Sequence, residues 1–210
     1  MATTKETRIK IPYLVNPVIV EKVNEILDST GWDGRSAVDI ESIVEKHFKL
    51  TVFPLEKLKY QEGVDAYVTS SSTIMVDKTQ YDENSGRYRF SLAHELAHFL
   101  LHLDAYKQLG ADDIKFHIKV QNEIPDEVIK EIERQAYRFA GCLLMPKRAF
   151  EPMIKEYFSQ DKLNKMTITE ISNSIEAISK QFNVSTEAVQ KQLMHFYPTE
   201  YKAILKASKY

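Results

Sequence analysis

The chain has 210 residues, 43% apolar and 28% charged, with a formal net charge of −2 and one cysteine. That is the composition of an ordinary globular protein, and its near-neutral charge excludes a protein that coats nucleic acid or an anionic membrane by electrostatics alone. Cys142 has no second cysteine with which to form a disulfide, and no apolar signal core follows Met1-Ala2-Thr3-Thr4-Lys5. The longest apolar-rich stretch, Phe90 to Leu103, is interrupted by His94, Glu95, His98 and His102, so no segment reads as a bilayer span. The expectation is a cytoplasmic protein with no membrane partner.

In chain order, the first residues are polar and read as loose. Asn16-Pro17 opens a helix in which Val20, Val23, Ile26 and Leu27 recur at helical spacing until Gly31. A second helix is expected over about Ser36 to Phe48, with Val38, Ile40, Ile43 and Val44 inward. The period then changes. Leu50 to Phe53 reads as a short strand ended by Pro54, and Val64–Val68 with Thr73–Val76 read as a hairpin around Ser70-Ser71-Ser72. The turn Asp82 to Gly86 leads into the Phe90–Leu103 helix. Ile114, Phe116, Ile118 and Val120 alternate with polar residues, a strand pattern. Pro125-Asp126 starts a long helix ended by Pro146. Beyond it Thr167 and Glu170 form a T-x-x-E capping box ahead of Ile171, Ile175, Ile178 and Phe182, and Ala188, Val189, Leu193 and Phe196 continue in a further helix. The expected fold class is α+β: a small, mostly antiparallel sheet packed with helices.

The chemistry concentrates at His94-Glu95-Leu96-Ala97-His98, an H-E-x-x-H motif on a helix with apolar flanks. Burying two histidines and a glutamate there costs several kcal/mol unless something satisfies them, and a metal ion does so. Residues four apart share a helix face, about 6 Å apart along the axis, so His94 and His98 can converge on one tetrahedral zinc ion. Glu95, one position past the first ligand, can serve as catalytic acid/base to a water on that ion. The bland alternative is a buried polar network of the same three residues.

A third ligand is needed. Glu133 is the choice: Ala136 and Ala140, at i+3 and i+7, would let its helix approach the motif helix closely. Glu131 is the competing carboxylate and points away from that face. His102, a further turn along, is expected to play a supporting or structural role. His117 reads as solvated, and Cys142 as an inert core thiol.

Residues Arg89 to His102 resemble the core signature of the ImmA/IrrE metallopeptidases. Glu133-Arg134-Gln135-Ala136 with Phe139-Ala140 and Leu143-Leu144-Met145-Pro146 resembles the family's second signature. The resemblance implies a zincin-like catalytic helix pair, with His94, His98 and Glu133 holding zinc and Glu95 as acid/base. It also implies a protein substrate, a helix-turn-helix transcriptional repressor whose cleavage relieves repression. Two departures stand out: Tyr137 occupies a position where the family usually has Asn or Asp, and the 104–125 stretch is longer, reading as an inserted lid or an added edge strand. The chain divides into a flexible N-terminus (1–16), a zinc metallopeptidase domain (17–158) and a helical C-terminal region (159–210) with a helix-turn-helix-like pair.

That pair invites a DNA-binding reading. Between residues 167 and 196, however, only Lys180 and Lys191 oppose Glu170, Glu176 and Glu187, which is not the basic face that phosphate contacts need. Packing on the catalytic core or holding the substrate is the expectation. The alternative functional reading is a non-hydrolytic metal-binding regulator or toxin-system component acting by partner binding. Tyr67, Tyr88 and Tyr137 are candidate donors to a developing oxyanion.

Overall fold

A computed structural model describes residues 13–69, 71–83, 86–108 and 125–207. The strand expected over Ile114–Val120, His117 with it, and the first twelve residues lie outside the described residues.

The first helix, α1 (Asn16–Ser29), has proline in its first turn and buries Ile19, Val23, Ile26 and Leu27, the stripe its spacing implies. Val38 and Ile40 are also buried, but the expected second helix is shorter: α2 (Ile40–Ser42) is capped by the Asp39 carboxylate on the Ser42 amide and runs on as a π-helical turn, Ile43–His47. Three strands follow, with a short α3 (Leu58–Glu62) between the first two: β1 (Thr51–Leu55), β2 (Ala66–Val68) and β3 (Thr73–Asp77). The strand order is β1-β3-β2. β2 and β3 form the expected antiparallel hairpin, Tyr67 opposite Met75, and β1 joins β3 in parallel, Val52 opposite Ile74. The sheet is therefore mixed. The α3 excursion carries the chain past the place beside β1, and β3 fills it on the way back. Pro54 does not end β1, because β1 is an edge strand and needs no ladder hydrogen bond on its outer side.

After α4 (Lys78–Glu83), the motif helix α5 begins at Gly86 and continues to Gln108. It is longer at both ends than its apolar stretch suggests. α6 (Asp126–Leu144) packs against it, and Ala136 and Ala140 of α6 are fully buried. α7 (Lys147–Tyr157) and α8 (Gln160–Leu163) lead to α9 (Ile168–Phe182), α10 (Thr186–Phe196) and α11 (Pro198–Ala207). The capping box forms: Thr167 Oγ1 accepts the Glu170 amide while Glu170 reaches back to the Thr167 amide. One continuous apolar core includes Ile19, Ile74, Leu92, Phe139, Ile178 and Leu193, so the C-terminal helices share the core of the sheet and the motif helix. The protein is α+β. Among the described residues no helix is long and apolar enough to cross a membrane.

Candidate active site

α5 and α6 bring three of the predicted site residues to one point. The Nε2 atoms of His94 and His98 are 2.9 Å apart. Glu133, reaching across from α6, places Oε2 3.2 Å from His94 Nε2 and Oε1 3.5 Å from His98 Nε2. Ligand atoms ~2.05 Å from a tetrahedral zinc ion lie about 3.3 Å from one another, so the three side chains stand at the spacing such an ion requires. The donor set, two imidazole nitrogens and a carboxylate, is one that would suit a catalytic zinc ion. His94 Nδ1 is buried with no hydrogen-bond partner among the described residues.

Glu95 also stands near the histidines, its carboxylate within 4.8 Å of their ring nitrogens. It is engaged elsewhere: Oε2 accepts the Val68 amide at 2.9 Å. Of the two carboxylates, Glu133 faces both Nε2 atoms directly, and Glu95 stands beside them at the end of β2. Burial pushes the Glu95 carboxyl up to about 7; the Glu133 charge adds to the rise, while His94 and the Val68 amide oppose it. Burial alone would lower the His94 pKa, but Glu133 and Glu95 outweigh it and raise it.

These side chains lie in a cleft of about 590 Å³. Its wall on one side is β2. Asp65 and Thr69 pair their main-chain groups with β3, so by strand alternation Ala66 and Val68 turn theirs to the open edge. At the rim Asp65 is bridged by Lys59 and Arg87; burial would raise its pKa, but those two cations hold it below the ordinary carboxylate value. Ser185, Glu187, Ala188 and Lys191 of the α9–α10 turn and α10 also line the cleft. The helix-turn-helix-like pair is thus part of the cleft. Its turn is pinned to the motif helix by Arg89, whose buried guanidinium donates to the carbonyl oxygens of Asn183 and Val38.

The candidate oxyanion donors separate. Tyr88 is buried and donates to Glu41 at 2.8 Å, away from the cleft. Tyr67 and Tyr137 both line it; the half-exposed Tyr137 ring stands edge-on to His94 at 4.7 Å, with Lys191 Nζ 5.4 Å from its centroid. Glu131 turns away from the histidines to Arg134 and Gln135. His102 is buried; its Nδ1 is 3.2 Å from His98 Nδ1 and its Nε2 3.2 Å from Gln135 Oε1. The roles of Gln135, Arg89 and the Val68 amide carry no signal in the sequence, because each depends on a partner 27 or more residues away.

An H-E-x-x-H helix packed against a glutamate-bearing helix beside a cleft is the arrangement of a metallopeptidase. The chain matches the IrrE N-terminal-like domain over residues 46–194 and belongs to that peptidase family. The match takes in both helices of the site and the α9–α10 pair to within two residues of its end. No curated protein matches the chain.

Proposed function

We propose that this protein is a zinc-dependent endopeptidase that cuts a partner protein, with His94, His98 and Glu133 as the zinc ligands and Glu95 as the catalytic acid/base. The observation that carries the reading is the meeting of the two Nε2 atoms and the Glu133 carboxylate at 2.9–3.5 Å, beside a buried glutamate in an open cleft. Zinc held there supplies Lewis-acid polarisation of the scissile carbonyl and acidification of water.

The protein supplies the rest. Glu95, buried beside the two histidines, is placed to take a proton from the attacking water and return one to the leaving amine. The Val68 amide orients its carboxylate. The outward main-chain groups of Ala66 and the outward Val68 carbonyl offer an edge on which an extended substrate segment can pair as an added strand. Tyr67 and Tyr137, which line the cleft, are the candidate donors to a developing oxyanion. The substrate class follows from the family resemblance: a helix-turn-helix transcriptional repressor, held between β2 and the first turn of α10.

The test is elemental analysis after identical dialysis. About one zinc per wild-type chain is expected, with loss in folded His94→Ala and Glu133→Ala. Zinc retained in Glu133→Ala would remove Glu133 from the ligand set, and a wild type that takes up no zinc would overturn the reading. Incubating zinc-loaded protein with a panel of helix-turn-helix repressors, and reading new N-termini against a Glu95→Gln control, then tests the substrate class.

A further inference from the structure

A chain of hydrogen bonds leads away from His98 through His102 and Gln135 to Glu131 of α6. Its polarity can be worked out from the outer end. Glu131 is held by Arg134, whose Nε donates to Oε2 at 2.8 Å, and an ionised carboxylate only accepts. Gln135 Nε2 is 2.8 Å from Glu131 Oε1, so the amide nitrogen of Gln135 faces Glu131 and its oxygen faces inward. That oxygen, 3.2 Å from His102 Nε2, only accepts, so His102 carries its proton on Nε2. A neutral imidazole then has a bare Nδ1. Nδ1 of His102 lies 3.2 Å from Nδ1 of His98, so His98 must donate there. His98 therefore carries a proton on Nδ1, and in its neutral form the bare nitrogen is Nε2, on the side of His94 and Glu133.

We infer that Glu131, Gln135 and His102 are positioning residues that hold His98 in the tautomer with a bare Nε2, the form a metal ligand needs. The inference rests on the zinc-site reading above and adds to it a set of residues that touch neither metal nor substrate. Each link is dictated by the one before, because only the outermost group has a fixed charge. The three inner side chains are enclosed: His98 is 5% exposed, His102 1% and Gln135 0%, so water cannot easily exchange for any link. A metal-bound histidine whose other nitrogen is held in this way gains basicity and a fixed ring orientation, and losing such a partner weakens binding 10- to 100-fold. His94 contrasts with it: its Nδ1 has no partner among the described residues, and the Tyr137 ring stands beside it instead. The site therefore has one ligand preset by hydrogen bonding and one placed by packing.

The experiment uses the full-length protein, zinc-loaded and chelator-stripped, labelled with nitrogen-15 at histidine. Proton–nitrogen correlation spectra distinguish a protonated ring nitrogen from a bare one. The expected pattern is His102 protonated at Nε2 and bare at Nδ1, with His98 protonated at Nδ1. His102 protonated at Nδ1 would overturn the inference outright, with no variant needed. Zinc affinity is then measured for Glu131→Gln and Gln135→Met. Glu131→Gln keeps the shape but can donate as well as accept, so the amide of Gln135 is no longer forced one way. The zinc dissociation constant should rise about 10-fold in it and up to about 100-fold in Gln135→Met. Wild-type affinity in both variants, with the circular dichroism of the fold unchanged, would reduce the chain to packing and overturn its role. If wild type takes up no zinc yet His102 shows the expected pattern, the hydrogen-bond chain stands and the zinc reading is what falls.

Discussion

The Glu95 carboxylate of α5 accepts the Val68 amide of β2 at 2.9 Å, tying the residue that follows the first motif histidine to the edge strand of the sheet. Glu95→Gln keeps an oxygen for that amide, so the fold and the zinc site should survive. What it loses is the proton acceptor. Peptide cleavage is expected to fall by about 10²- to 10⁴-fold, the usual share of general acid–base catalysis, with zinc content unchanged. Cleavage kinetics beside elemental analysis check this. Near-wild-type cleavage would remove Glu95 from the mechanism, and an inactive substrate panel with full partner binding would favour the non-hydrolytic regulator.

Zinc should also stabilise the fold. The ligands come from two helices, α5 and α6, so binding favours the folded state over the unfolded one. Free zinc at 1,000 times its dissociation constant is expected to add about 4 kcal/mol. Thermal melts with and without chelator measure the shift in wild type. The same addition to Glu133→Ala should give a clearly smaller one.

Stripped of metal, the protein should become less stable as pH rises towards neutral. Burial pushes the Glu95 carboxyl from 4.5 up to about 7. Between those values the folded state holds a proton that the unfolded state has released. Stability from this group is therefore fully present below about pH 4.5 and lost as pH passes through about 7. At about 1.4 kcal/mol per unit, the loss is roughly 3 kcal/mol. Urea unfolding of stripped wild type and Glu95→Gln across pH 5 to 7.5 isolates it: the difference between the two should change with pH, and a constant difference would contradict the assignment.

Gly86 opens α5 where the chain passes the helix-turn-helix-like turn. A Cβ there would meet the Val184 Cα and carbonyl carbon at 3.0 Å and the Ser185 nitrogen at 3.2 Å. The neighbour is backbone, and Arg89 fixes it through the Asn183 carbonyl, so it has little room to move. Gly86→Ala should cost about 1–3 kcal/mol as an overpacked site, despite alanine's higher helix propensity. Denaturant midpoints test this. Because Ser185 lines the cleft, substrate binding should weaken alongside stability.

Cys142 is buried, and burial pushes its thiol up to about 12 against the opposing effects of Gln192 and Arg138. A thiol in that state offers little thiolate at neutral pH. Alkylation in the native protein should be at least tenfold slower than in urea, measured by mass spectrometry. Rapid native labelling would show that α6 opens.

The sequence by itself determined what depends on spacing along one helix. His94 and His98 share a face because four residues make about one turn. Asn16-Pro17, the Thr167–Glu170 box and the Ile171–Ile178 stripe mark helices by local chemistry, and each forms where its pattern lies. Glu133 was legible through the small Ala136 and Ala140 on its helix, and the family resemblance pointed to the same residue. Tertiary structure decided what depends on residues distant in the chain. It set β1 beside β3 and not β2, because strand order follows from how α3 crosses and not from any strand's own pattern. It put the first turn of α10 into the cleft wall, where charge had argued only against DNA. It also linked His98 through His102 and Gln135 to Glu131: 33 residues separate His102 from Gln135, and no periodicity reports which buried amide will face which imidazole. That pairing exists only once the two helices have packed.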